Sequence, residues 1–108
     1  MLRKRAVDTS TASAVTQQPI SIVIVTMDTH LASAVERARP RLSREFPGLT
    51  VSLHAASEYA GNESAIARVR ADIASADIIV CGMLFLEDHF LPILDDLRAR
   101  RDNCDAMI

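Results

Sequence analysis

The sequence predicts an α/β fold: a parallel sheet of three to four strands with helices on both faces. Three observations carry this. Two near-continuous apolar runs, 20–26 and 78–84, have the β-branched composition of strands buried on both faces. Amphipathic stretches with three- to four-residue apolar spacing separate the strand-like runs. Strand and helix signals alternate as β-α-β-α-β-α-β, the pattern that specifies parallel strands joined by crossover helices.

Residues 1–19 are rich in Ser, Thr, Ala and Gln, show no periodicity and end at Pro19, and read as a flexible leader. Arg3, Lys4 and Arg5 precede polar Asp8-Thr9-Ser10-Thr11, where a secretory signal needs an apolar core. The first strand is Ile20–Thr26. Asp28 or Thr29 is placed to cap a helix whose stripe is Leu31, Val35, Ala38, Leu42 and Phe46. Pro40 lies inside it, removes a backbone donor and crowds the Glu36 carbonyl, so a kink or break is expected there. Pro47-Gly48 ends the helix.

Leu49–His54 alternates apolar and polar residues, the mark of a half-exposed strand at the sheet's edge. Residues 55–62 read as a loop. Asn62 is a plausible N-cap, Glu63 suits the positive end of the helix dipole, and Ile66, Val69 and Ile73 form the next stripe. The third strand spans 78–84. Glu87 and Asp88 open the last helix and Arg98, Arg100 and Arg101 close it, in accord with the dipole. Its buried face is Phe90, Ile93, Leu94 and Leu97. Pro92 fits best in a first turn, which puts the start of regular helix near Leu91. Asp105–Ile108 resembles the beginning of a fourth strand. With strands one and three central and strand two at the edge, the spatial order is 2-1-3-4, a flavodoxin-like winding, rather than 3-2-1-4. Residues 20–108 therefore read as an incomplete α/β domain, truncated inside its sheet. A short, sticky fourth strand would leave it marginally stable or prone to aggregate alone.

Composition excludes several functions. The chain has 108 residues, 49% of them apolar, and a formal net charge of −2. That length holds one domain and not two. Without a basic stripe or aromatic platform, nucleic acid is not an expected partner. No apolar stretch approaches the roughly 18–20 residues of a transmembrane helix. Cys81 and Cys104 are not in a C-x-x-C and read as reduced structural thiols in a cytosol-like compartment. The phosphate-binding loop, the dinucleotide fingerprint and the nucleophile elbow are all missing. Asp28 imitates the phosphoacceptor of a receiver domain, but Gly82-Met83-Leu84 stands where such domains usually carry an Asp after strand three.

In open α/β sheets ligands bind beyond the carboxyl ends of the strands, where the winding reverses. Here that point lies between strands one and three. The loops Met27–His30 and Phe85–His89 reach it and bring Asp28, His30, Glu87, Asp88 and His89 toward one crevice. Carboxylates suit a hard cation such as Mg²⁺, and a neutral imidazole takes up a proton near neutral pH. The plainer reading is that Asp28, Glu87 and Asp88 are helix caps and first-turn acids, and that the histidines bond neighbouring loops. His54, on the edge strand, reads as structural. No catalytic, cofactor or metal residue is assigned.

Three segments carry a resemblance: 23–34 with its Met27-Asp28-Thr29-His30, 76–92 with Leu86-Glu87-Asp88-His89-Phe90-Leu91-Pro92, and 100–107. Together they resemble the N-terminal region of the large, porphyrin-binding H subunit of magnesium chelatase, and more distantly the large subunit of cobaltochelatase. The resemblance covers residues 20–108. It implies an ATP-dependent metal-inserting ligase that places Mg²⁺ in protoporphyrin IX on the way to chlorophyll or bacteriochlorophyll. The substrates Mg²⁺ and protoporphyrin IX belong to the full-length protein. ATP belongs to two AAA+-type partners, the I and D subunits. The implied compartment is the bacterial cytoplasm, or a plastid. It implies a fragment inactive alone and transfers no catalytic residue, since the family's proposed insertion site lies outside this segment. The competing expectation is a free-standing, non-catalytic flavodoxin-like binding or signalling module.

Overall fold

A computed structural model describes residues 19–108. The leader expected over residues 1–19 lies, but for Pro19, outside them. The strands are β1 (Ile20–Thr26), β2 (Leu49–Ala55), β3 (Ile78–Cys81) and β4 (Ala106–Met107). The helices are α1 (Ala32–Glu45), α2 (Ala56–Tyr59), α3 (Glu63–Ser75) and α4 (Glu87–Arg100). The four strands form one sheet in the order β2-β1-β3-β4, as expected from the hydropathy of the strands. All three pairings are parallel, with Ile24 opposite both Leu53 and Val80.

Alternation along β1 sends Val23 and Val25 to one face, where they meet Ile79 of β3, Val69 and Ile73 of α3, and Ile93 of α4. All six are at most 1% exposed, and they form the centre of the core. The same face carries His54, whose Nε2 bonds Asp72 Oδ2 of α3 at 2.6 Å. Ile22, Ile24, Ile78 and Val80 point the other way and are only half-buried. This corrects the expectation that β1 and β3 are buried on both faces. The far face is covered less well because α1 is the helix that lies on it.

The expected apolar stripe of α1 is corrected too. No residue of α1 is fully buried, and Phe46 just beyond it is 56% exposed. The helix runs unbroken through Pro40. The carbonyl left without its donor belongs to Glu36, an exposed residue where solvent can take the donor's place, so no break is needed. Neither Asp28 nor Thr29 caps α1. Leu31 holds the cap position without a side-chain bond, and Asp28 instead closes a tight turn on the backbone of His30. Gly48 takes φ +92, which only a residue lacking Cβ adopts cheaply, and turns the chain into β2.

Arg39 of α1 reaches over the sheet's edge and donates from Nη1 to the Val51 carbonyl at 2.6 Å. Gly48 O accepts from Ile20 N, so alternation along β2 turns the Val51 carbonyl away from β1, toward the open side. A Glu36 carboxylate bonded to Nη2 at 2.9 Å fixes the guanidinium there.

Three further boundaries differ. Residues 55–62 are not all loop: β2 continues to Ala55 and α2 follows, anchored by Ala56 and Tyr59, both buried. β3 ends at Cys81, because Met83 adopts φ +58, a left-handed conformation that no strand residue takes. α4 begins at Glu87, a full turn before Leu91, with Pro92 inside it. The carbonyl that Pro92 leaves unpaired is that of Asp88, at the exposed first turn. The cap by Asn62 is as expected: its Oδ1 accepts from Ala65 N at 3.2 Å.

Candidate functional site

The carboxyl ends of β1 and β3 are adjacent. Val25 is paired with Cys81, and Gly82 N donates to Val25 O at 2.9 Å just beyond the last paired residues. The loops that follow therefore leave the sheet side by side, at the point where the winding reverses.

On the β1 side, Thr26 is buried and its Oγ1 donates to the Asp28 carbonyl at 2.8 Å. That bond folds the loop back on itself. His30 N then donates to Asp28 Oδ1 at 3.2 Å, and His30 Nδ1 meets the same oxygen. Both side chains remain about half exposed, 53% for His30 and 43% for Asp28. The hydrogen bond from the His30 ring, with the backbone one, holds the Asp28 carboxyl below its ordinary 3.8. Asp28 is thus an ionised acceptor that orients an imidazole, the arrangement a proton-transfer pair needs.

On the β3 side, Glu87 and Asp88 are exposed in the first turn of α4. His89 is different. It is 9% exposed, and its Nδ1 accepts from Leu86 N at 3.3 Å while its own N–H bonds the Leu86 carbonyl at 2.9 Å. A histidine does here what Glu or Gln does in a capping box. Its backbone carbonyl accepts the hydroxyl of Tyr59. Of the five residues that sequence brings to one crevice, Asp28 and His30 are in contact, Glu87 and Asp88 face solvent, and His89 turns into the helix start. Among the described residues no group of three or more His, Cys, Asp or Glu is arranged to hold a metal ion.

Two structural anchors of the fold are residues to which sequence analysis assigns no role. Tyr59 is 1% exposed and ties α2 to α4. Its signal is available, because it is the one tyrosine of the chain. Asp77 clamps the opposite end of the sheet: Ser21 N donates to its Oδ2 at 2.8 Å and Asp77 N donates to Ser21 O at 2.9 Å. His54, read as structural, is held by Asp72.

A family model described as a domain of unknown function, DUF3479, matches residues 21–108. The chain belongs to this family. Among curated proteins it is similar to the H subunit of magnesium chelatase from Cereibacter sphaeroides, 46% identical over 88 residues. It is likewise similar to the magnesium-chelatase H subunit of Rhodobacter capsulatus, 41% identical over 88 residues. In each case the match covers 82% of this chain and 7% of the relative. The matched family segment opens at the second residue of β1 and contains every described helix and both loops of the crevice. The resemblance carried by the Met27–His30 and Leu86–Pro92 stretches is thus one to relatives of that name. No helix among the described residues is long and apolar enough to cross a membrane.

Proposed function

We propose that this chain is the N-terminal α/β unit of a magnesium-chelatase H subunit. In that reading the full-length protein binds protoporphyrin IX and inserts Mg²⁺, with ATP hydrolysed by the AAA+-type I and D subunits, in chlorophyll or bacteriochlorophyll synthesis. The reaction takes place in the bacterial cytoplasm. The observation that carries the reading is 46% and 41% identity to two proteins of that name, sustained over 88 residues. In this reading the unit is one part of the larger protein and is inactive without the rest of it.

Within that reading Asp28 and His30 are the pair with chemistry to offer. Insertion of Mg²⁺ displaces two pyrrole N–H protons, and an imidazole oriented by a carboxylate is a suitable acceptor for one of them. Glu87 and Asp88 add negative charge in the first turn of α4. His89 acts through the start of α4 as a positioning residue.

The test is reconstitution. The full-length protein containing this segment is mixed with the I and D subunits, ATP, Mg²⁺ and protoporphyrin IX, and magnesium protoporphyrin is followed by its fluorescence. Product formation that depends on all components is expected. A full-length protein that binds porphyrin but forms no product with any ATPase partner would remove the reading. In the same assay Asp28→Asn and His30→Ala are expected to slow product formation on the order of tenfold or more, the scale of lost general-base assistance. Unchanged rates would leave the pair a purely structural turn.

A further inference from the structure

Large apolar side chains stay exposed in one place in particular. Met83, Phe85 and Leu86 lie on the single loop between β3 and α4, 37%, 72% and 61% exposed, and Leu91, at 53%, lies one turn further along α4. Phe85 occupies the position before the N-cap, where a hydrophobic staple would pack it on its own helix, yet it remains open to solvent. Met83 is held at φ +58, a left-handed conformation that disfavours a residue with a side chain. The Gly82–Val25 hydrogen bond fixes the start of this loop to the sheet. The loop is therefore presented by the scaffold instead of collapsing onto it. Soluble proteins seldom keep contiguous apolar groups in water unless another surface covers them.

We propose that the Met83–Leu86 loop, with Leu91, is a docking surface, and that its occupant is an apolar surface formed by a later segment of the same polypeptide. This rests on the chelatase reading given above. The choice of occupant follows from length: the match spans 7% of each relative, so most of such a protein lies outside this unit and is available to cover it. No Lys or Arg adjoins the loop in sequence between Cys81 and Leu91, which disfavours an anionic lipid surface.

The test uses the full-length protein with Phe85→Cys or Leu86→Cys. The maleimide labelling rate of the new thiol is measured in native buffer and again in urea. Both residues are open in the unit itself, so the unit offers no protection of its own. Native labelling slower than in urea by roughly tenfold or more at both positions is expected, the loss in rate that burial of the thiol produces. Native rates within about twofold of the urea rates overturn the inference, because an uncovered site shows no such protection. Protection that disappears on dilution assigns the loop to a second copy and overturns it also. A reading frame that closes at Ile108 removes the chelatase reading itself, whereas fast labelling inside a long polypeptide removes only the docking surface.

Discussion

Tyr59 shows how much one side chain can tie together. Its ring fills the core between α2 and α4, and its hydroxyl is spent on the backbone carbonyl of His89. Burial, with a smaller contribution from Cys81, pushes the phenol from 10.0 up to about 12. The folded state therefore holds this proton more tightly than the unfolded chain does. Its stabilising contribution is complete below pH 10 and is lost as pH rises from 10 toward 12. The loss is about 2–3 kcal/mol, and Tyr59→Phe, which has no proton to lose, should flatten the fall. Urea midpoints measured from pH 8 to 11.5 check this. The variant should also be weaker at pH 8 by about 1 kcal/mol, the worth of a buried neutral hydrogen bond. Parallel decline of both proteins above pH 10 would show that Tyr59 is not the group responsible. Cys81 follows the same physics: burial raises its thiol, which makes it a poor nucleophile.

At the scale of elements, the legible features are those set by short-range patterning. The order of strands follows from hydropathy: unbroken in β1 and β3, alternating in β2. The Asn62 cap is equally plain, because the side chain acts on a donor three residues away. Asn62→Ala should cost about 1 kcal/mol, read as a lower urea midpoint with an unchanged slope. A Ser at the same position should restore most of it. What sequence does not disclose depends on distant partners. The turn of chain at Met83 ends β3 three residues early. The helix starts at Glu87 because His89 supplies its cap, which no propensity scale assigns to histidine. Pro40 and Pro92 carry the weight of breakers in sequence, yet each leaves its orphan carbonyl at an exposed residue that solvent can reach. The crevice between β1 and β3 is legible from topology, but which of its residues touch is not, since rotamers and the Thr26 bond settle that.

For the molecule as a whole, the two faces of the sheet are unequal. One face gathers Val23, Val25 and Ile79 against α3 and α4. The other carries α1, none of whose residues is fully buried. Truncating a residue on the well-packed face should therefore be costly in proportion to the cavity it leaves. Ile79→Ala is expected to destabilise by about 2–5 kcal/mol. Against the roughly 5–15 kcal/mol that holds an ordinary domain together, this is enough to unfold much of a small unit. Ile22→Ala, on the half-covered face, should cost clearly less, because part of its side chain already meets solvent. Equal losses in the two variants, measured by chemical denaturation, would mean that the faces are packed alike.

The guanidinium of Arg39 gives the sheet two dissimilar margins. Along β2, an incoming strand seeking to extend the ladder meets a cation already seated on the Val51 oxygen and must evict it, together with its Glu36 counterion. A single long side chain so placed discourages stray chains from annealing at that border, and does so without shortening the strand or bending it.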